Sequence, residues 1–406
     1  MAETAASPVQ KPKHAPLKDE HEVLATALEH LVGDTEATAA QILRLNADHS
    51  AITPGIASKK QHAHWWKRFF PDGFQDRLDE LFVDYGMGNY VAVRGQKDAK
   101  IFESMPIYVR IGMHLLFYKS REASFLRYES VEDLLKTVSV RQGKVYDDSS
   151  DPQAVLAHIA SFVQTYNIDL GELLEQDLAR YPSFNSFFFR RLKPGARPQA
   201  EPANAAVVAS CADCRLTVFD NVAQSQQFWI KGQAFALNRL VGDTNLADRC
   251  FPPGSSLAIF RLAPADYHRY HHPVGPVVCG PTRHCAGEYY TVNPQAVNAD
   301  FDVFTCNRRD VLLLDWSPKP EGERYTVAFV AIGAMLVGSI GWVNSTQGSS
   351  AERGDELGYF AYGGSTVIAV FPPSAKVQWD RDLLDNSTAG LETIVRVGDR
   401  IGVSTA

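Results

Sequence analysis

The sequence predicts an α+β fold: a helical N-terminal region followed by a β-rich core of mostly antiparallel strands. Helical signals dominate the first part of the chain, where apolar residues recur at helical spacing. After Pro198 the pattern changes to short β-rich runs bounded by Gly, Pro or Asp. These runs cover residues 206–208, 216–219, 257–262, 311–316 and 325–332.

Three segments follow in chain order. Residues 1–20 are polar with three prolines, which predicts a disordered tail. Residues 21–180 are predicted to be helical, beginning with Leu24, Leu28 and Leu31 on one helical face. Later starts are a capping-box-like motif at 130–133 and Asp151-Pro152, an N-cap with proline at N1. Residues 181–406 are predicted to form the β-rich core.

A basic segment with paired aromatic residues lies inside the helical region. Residues 49–71 contain no acidic residue, and their lysines and arginine surround Trp65-Trp66 and Phe69-Phe70. Such a segment suits a surface that lies against anionic lipid headgroups. Aromatic residues of an ordinary core are an equally good interpretation.

Composition favours a soluble protein in a reducing compartment. The hydrophobic content of 45% and charged content of 21% are ordinary, and the net charge of −7 argues against a nucleic-acid partner. The N-terminus shows no signal or transit pattern, and the most apolar early stretch, 107–118, is too short to span a bilayer. We therefore expect a cytoplasmic protein, soluble or peripherally bound to a membrane.

The cysteine pattern favours reduced, structural cysteines. Six cysteines in 406 residues do not form a disulfide scaffold. Cys211 and Cys214 form a C-x-x-C motif, which raises zinc or redox chemistry, but the other four are scattered. Because zinc sites usually need four convergent ligands, no metal is expected.

The first candidate for chemistry is the sequence Gly363-Gly364-Ser365-Thr366, between two apolar strand-like runs. Since glycine has no Cβ, the carbonyl of Gly364 is open to attack by the hydroxyl of Ser365. A hairpin turn is the simpler interpretation of these four residues taken alone.

Two further segments offer a proton acceptor and a carboxylate. The segment 265–273 reads A-D-Y-H-R-Y-H-H-P and supplies His268 and His271, three residues apart. An imidazole can accept a hydroxyl proton near neutral pH, and a carboxylate on its other nitrogen fixes the tautomer. Asp213 could be that carboxylate. Taken singly, these residues are more simply interpreted as a satisfied surface or core histidine cluster and a turn aspartate.

Together these segments resemble the phosphatidylserine decarboxylase family. Residues 353–366 are similar to its K-G-x-E-L-G-Y-F-x-F-G-S-T motif, 184–198 to F-N-x-F-F-x-R-x-L-K-P-G-A-R-P, 266–273 to D-Y-H-R-x-H-x-P and 210–213 to S-P-A-D. The sequence departs from the motifs in places: Arg353 replaces lysine, and Gly363-Gly364-Ser365-Thr366 stands for the shorter G-S-T element. Cys211 replaces proline, Cys214 replaces the usual glycine after the aspartate, and His272 follows the second motif histidine.

The resemblance implies the site and its cofactor. Asp213, His271 and Ser365 correspond to the family's self-processing triad, and His268 to its decarboxylation histidine. Cleavage between Gly364 and Ser365 would give chains 1–364 and 365–406, with Ser365 converted to a pyruvoyl group. This group would form a Schiff base with the substrate and would replace pyridoxal phosphate as electron sink.

The resemblance also implies the reaction and its partners. Phosphatidylserine would be converted to phosphatidylethanolamine and carbon dioxide at a peripheral membrane contact, by the two chains together or by a dimer of such pairs. Three alternatives stay open: the same chemistry on a free, for example aromatic, amino acid; a serine hydrolase using Asp213, His271 and Ser365 without self-cleavage; and a non-catalytic binding relative. Ser365 lacks the G-x-S-x-G pattern of many hydrolases.

Overall fold

The computed structural model describes residues 88–96, 99–104, 143–228, 236–288, 303–319, 321–333, 339–361 and 365–406. The predicted tail 1–20, the predicted helices of 21–87 and 105–142, and the basic segment 49–71 lie outside these residues.

Helices in the described part are short except for the first. Asp151 caps that helix as predicted, because its Oδ1 accepts hydrogen bonds from the backbone N–H groups of Gln153 (3.0 Å) and Ala154 (3.1 Å). The helices are α1 (Pro152–Tyr166), α2 (Phe184–Phe188), α3 (Val222–Phe228), α4 (Leu237–Val241), α5 (Thr244–Cys250), α6 (Val303–Cys306) and α7 (Arg381–Thr388). Single 3₁₀ turns occupy Leu170–Glu172, Leu178–Arg180 and Pro373–Ala375.

Strands dominate the second half of the chain, as predicted. In chain order they are β1 (Gly88–Val93), β2 (Lys100–Ser104), β3 (Val207–Ala209), β4 (Cys214–Phe219), β5 (Ser256–Leu262), β6 (Arg269–His271), β7 (Val277–Cys285), β8 (Arg309–Trp316), β9 (Tyr325–Gly333), β10 (Ile340–Trp342), β11 (Ser350–Ala351), β12 (Glu356–Phe360), β13 (Ser365–Phe371), β14 (Val377–Trp379), β15 (Glu392–Val395) and β16 (Arg400–Ser404). The five predicted β-rich runs fall within or overlap β3, β4, β5, β8 and β9.

One large sheet organises the described part of the chain. Its ten strands lie in the order β11-β7-β8-β9-β13-β5-β4-β15-β1-β2. Among its described pairings, β1 with β15 is parallel and all the others are antiparallel, which confirms the prediction of largely antiparallel strands. Two three-stranded sheets, β10-β12-β6 and β14-β16-β3, complete the architecture.

The hairpin β1–β2 corrects the prediction for part of the segment 21–180. Residues 88–93 and 100–104 are strands, and β1 pairs with β15 some 300 positions later in the chain. Arg94, at the turn, fixes the hairpin to the core through ion pairs with Asp380 (2.6 Å) and Asp382 (3.1 Å). Because this pairing is non-local, helical spacing in the neighbouring sequence gave no sign of it.

Strand β13 is the most enclosed strand of the large sheet. All seven of its residues are buried, and it forms ladders with β5 on one side and β9 on the other. Apolar side chains cover both faces, including Val367, Ile368 and Phe371 at 0% exposure. The fold therefore places Ser365, the first residue of β13, at the centre of the sheet.

Candidate active site

Ser365 is the first residue of β13, a buried strand in the middle of the large sheet. It pairs with Leu262 of β5 and Gly333 of β9 and is 1% exposed. Its Oγ has no hydrogen-bond partner among the described residues. Since buried hydroxyl groups are normally paired, an unpaired one is a candidate for a chemical role. Gly363 and Gly364, which precede it, lie outside the described residues.

Strand pairing places His268 and Ser365 in the same part of the fold. His268 lies between β5 and β6, and Ser365 begins β13, the strand that follows β12 in the chain. The two segments are joined by pairing, because β5 pairs with β13 and β6 pairs with β12. The N–H of Phe360 donates to the carbonyl of His268 at 2.9 Å. Residues that are nearly a hundred positions apart in the sequence therefore belong to one region of the fold.

His268 is fully buried and neutral. Its Nδ1–H donates to the carbonyl of Asp266 at 2.9 Å, while its Nε2 has no partner among the described residues. Its ring lies 3.9 Å, centroid to centroid, from that of Phe188. Burial lowers the pKa of His268 to about 3, and the nearby Arg190 guanidinium adds to the effect. The free Nε2 lone pair is thus available to a ligand.

His271 is held at both ring nitrogens. Its Nδ1 lies 2.8 Å from the carbonyl oxygen of Gly354, and its Nε2 lies 3.1 Å from the hydroxyl of Tyr267. A carbonyl can only accept, so Nδ1 carries the proton and Nε2 is the basic atom. Burial lowers the pKa of His271.

Asp213 pairs with Arg197 rather than with His271. The Nε of Arg197 lies 3.0 Å from both carboxylate oxygens, and its Nη2 lies 2.6 Å from Oδ2. The backbone N–H of Val397 donates to Oδ1 at 2.9 Å. The expected hydrogen bond from the His271 ring to the Asp213 carboxylate is absent from the described contacts, because Nδ1 of His271 donates to the carbonyl of Gly354 instead. A guanidinium in this forked geometry competes strongly for a carboxylate.

Residues of the motif at 184–198 contact His268, the segment before it and Asp213, and the sequence did not reveal this role. The ring of Phe188 contacts that of His268 at an interplanar angle of 36°, and Arg197 pairs with Asp213. The Nη2 of Arg190, which is 4% exposed, donates to the carbonyls of Ala265 (3.2 Å) and Asp266 (3.3 Å) just before His268. The signal for these residues was the long motif itself.

The C-x-x-C cysteines form a buried turn. Cys211 and Cys214 are free and at most 1% exposed, and burial raises the pKa of both thiols, which keeps them protonated. Within the ranges that the structure describes, no three His, Cys, Asp or Glu residues are grouped so that they could hold a metal ion. In those same ranges, no helix combines the length and apolar character needed to span a membrane.

Comparisons with known proteins assign the family. The family model for phosphatidylserine decarboxylase matches residues 184–403. The chain is 42% identical over 357 residues to phosphatidylserine decarboxylase proenzyme 2 of Komagataella phaffii, covering 86% of this chain and 33% of that one. It is 38% identical over 367 residues to the proenzyme 2 of Saccharomyces cerevisiae, covering 89% and 30%.

A shorter relative is covered over most of its own length. The phosphatidylserine decarboxylase proenzyme of Chlamydia trachomatis is 40% identical over 244 residues, which are 60% of this chain and 77% of the bacterial one. The chain spans about a third of the length of the two fungal relatives. From the family match and these relatives, we conclude that the chain belongs to the phosphatidylserine decarboxylase family.

Proposed function

We propose that the chain is a self-cleaving, pyruvoyl-dependent decarboxylase that converts phosphatidylserine to phosphatidylethanolamine and carbon dioxide. The observations that carry the proposal are two buried atoms without a hydrogen-bond partner among the described residues: Oγ of Ser365, at the start of β13, and Nε2 of His268, in the connection that follows the neighbouring strand β5. The name proenzyme, given to the fungal and bacterial relatives, supports activation by processing.

The first reaction is self-cleavage between Gly364 and Ser365. Nε2 of His271 takes the hydroxyl proton of Ser365, and Oγ attacks the carbonyl carbon of Gly364, converting the amide to an ester. Elimination then frees the Gly364 carboxylate, and addition of water with loss of ammonia leaves a pyruvoyl group at position 365. The products are chains 1–364 and 365–406.

Ser365 suits this cleavage better than it suits the nucleophile of a hydrolase. It begins a central strand and is 1% exposed, so its hydroxyl lies inside the fold, next to the peptide bond that would be cut. A hydrolase of the G-x-S-x-G type instead exposes its serine on a strand-to-helix turn.

The second reaction is decarboxylation of an amine-bearing substrate. The pyruvoyl ketone supplies an electron sink as the α-carboxylate leaves as carbon dioxide. His268 would supply the proton that replaces the carboxylate on the α-carbon. Its Nε2 has no partner among the described residues, so it can take up a proton from water and pass it to the α-carbon.

The substrate and its surroundings follow from the family and the sequence. Phosphatidylserine is the substrate that the relatives' names specify, and the basic, aromatic segment 49–71 supports peripheral contact with anionic lipid. The catalytic core would comprise residues 181–406, extended by the hairpin β1–β2.

Intact mass of the denatured protein tests self-cleavage. We expect two chains, the smaller blocked by pyruvate, and one uncut chain for Ser365→Ala. A wild-type chain that stays whole and is labelled at Ser365 by a fluorophosphonate would instead establish a hydrolase.

Carbon dioxide release tests the substrate. Phosphatidylserine vesicles and free amino acids, including aromatic ones, are supplied separately to the cleaved protein. We expect release from the vesicles, and loss of that release in His268→Ala even after cleavage. Release from free amino acids alone would refute the phospholipid assignment.

A further inference from the structure

Tyr267 makes a hydrogen bond whose direction the structure fixes. Nδ1 of His271 must donate to Gly354, because a carbonyl oxygen has no proton to give. Nε2 is then an acceptor, and the Tyr267 hydroxyl, 3.1 Å away, is its donor. The basic atom proposed to take the proton of Ser365 is therefore already hydrogen-bonded in the uncut chain.

We propose that Tyr267 is a positioning residue for self-cleavage, whose hydroxyl holds the His271 imidazole at Nε2 and stabilises its neutral form. The hydroxyl donates to Nε2 of the neutral ring, and when that nitrogen is protonated the hydrogen bond must reverse. The phenol O–H would then have no acceptor among the described residues, which favours the neutral ring. The hydroxyl thus opposes protonation of His271 until it gives way to the proton of Ser365. This role deepens the proposed function and rests on it.

Both partners of this hydrogen bond are held firmly. Tyr267 is 5% exposed, and burial raises its pKa, so the group stays a phenol and keeps its proton for donation. The backbone N–H of His271 donates to the carbonyl of Cys211 at 2.8 Å, and β6 pairs with β12. The two rings lie 5.7 Å apart at an angle of 37°. The contact therefore connects two fixed groups.

Two carboxylates near His271 favour its protonation and so oppose the effect of the Tyr267 hydroxyl. Asp213 and Glu356 favour protonated His271, whereas Arg269 disfavours it. Glu356 and Arg269 form an ion pair with each other, as do Asp213 and Arg197. The charged or titratable groups that act on His271 are Glu356, Asp213, Arg269, His272 and the Tyr267 hydroxyl. Without the Tyr267 hydroxyl, the two carboxylates should therefore raise the pKa of His271 further.

The test measures His271 directly in the uncut chain. Side-chain NMR of ¹⁵N-histidine-labelled Ser365→Ala protein, assigned with His271→Gln, gives the tautomer and the titration midpoint without any need for cleavage. We expect the Nδ1–H tautomer. Tyr267→Phe, which removes only the hydroxyl, should raise the midpoint by about 0.5 to 1 pH unit, as expected for the loss of one hydrogen bond.

Tyr270→Phe is the matched control. Tyr270 is also buried and close in sequence, but its hydroxyl donates to the carbonyl of Gly341 at 2.8 Å. It should leave the His271 midpoint unchanged. An unchanged midpoint in Tyr267→Phe, or an equal rise in both variants, would overturn the proposal whether or not the chain cleaves itself.

Two further measurements keep the proposal testable. In chains with Ser365 intact, the rising limb of the self-cleavage rate should move to higher pH in Tyr267→Phe by the same amount, because neutral His271 is the base. If Tyr267→Phe does not fold, 3-fluorotyrosine placed at position 267 supplies a more acidic donor. It should lower the midpoint, and a rise or no change would refute the proposal.

Discussion

Replacing Arg197 by glutamine tests how the structure holds Asp213. The guanidinium contacts Asp213 through Nε and Nη2, and the same Nη2 lies 2.9 Å from Glu172. Glutamine keeps much of the length of the side chain but removes its charge and its fork of donors. The change therefore leaves the Asp213 carboxylate with the N–H of Val397 and no described cation.

We expect Arg197→Gln to cause a large loss of stability, because the ion pair that it breaks is mostly buried. The side chains of Arg197 and Asp213 are only 11% and 12% exposed. Breaking a buried pair costs about 3–5 kcal/mol, whereas exposed pairs contribute about 0.2–1 kcal/mol. Because some exposure remains, we expect a loss near the lower end of the buried range, about 3 kcal/mol. Arg197→Lys, which retains a charge without the fork, should lose less.

Urea unfolding in the Ser365→Ala background provides the assay, because a single uncut chain gives one transition to analyse. Arg197→Gln, Asp213→Asn and the double variant form a cycle. Since the two side chains contact each other, the loss in the double variant should fall short of the sum of the single losses by about 2 kcal/mol.

The same cycle with Ser365 intact separates two ways in which Asp213 could act. If Asp213 acts through Arg197, each single variant slows self-cleavage and the double variant is no slower than the worse of them. Stability losses that add to within about 0.5 kcal/mol would refute the pairing. Normal cleavage in Arg197→Gln combined with abolished cleavage in Asp213→Asn would instead support direct contact between Asp213 and His271.

Two other perturbations follow from buried groups. Burial lowers the pKa values of His268 and His272 to about 3 and about 4, so between pH 6.5 and 4 the unfolded chain binds protons that the folded chain does not, and stability should fall with falling pH. Each histidine changes the free energy of unfolding by up to about 1.4 kcal/mol per pH unit in this range. His272→Gln should therefore reduce the pH dependence of stability measured by urea unfolding. An unchanged pH dependence would contradict the burial of His272 as a neutral ring. Gly358→Ala should destabilise the uncut chain by about 1–3 kcal/mol, because its Cβ would lie 2.2 Å from the carbonyl oxygen of Gly341, whereas Gly143→Ala meets nothing within 4 Å and should change stability by less than about 0.5 kcal/mol.

Local sequence patterns predicted the strands well because they depend on neighbouring residues. The apolar runs that became β5, β8 and β9 were each bounded by Gly, Pro or Asp. Asp151-Pro152 likewise carried its own helix-start chemistry. Local sequence did not predict the hairpin β1–β2, because its place in the sheet depends on pairing with β15, near the other end of the chain.

The site was predicted in its residues and missed in its contacts. Motif resemblance selected Asp213, His268, His271 and Ser365, whose assigned roles remain proposals. His271 and Asp213 have partners from elsewhere in the chain, the carbonyl of Gly354 and the guanidinium of Arg197. Gly354 has a φ of +89°, so the turn that directs its carbonyl at the imidazole depends on glycine. Residue types alone do not state which carbonyl will point at a ring.

The position of the proposed cut explains how two chains would remain one protein. The segment 365–406 would supply β13, between β5 and β9, and β15, between β1 and β4. It would also supply β14 and β16, of which β16 pairs with β3. Since these strands form ladders with the other chain at several places, and since β13 is buried throughout, separation would unfold both parts. The cleaved chains should therefore elute together in native gel filtration and separate only in denaturant; elution of a free 365–406 fragment from native protein would contradict this interleaved arrangement.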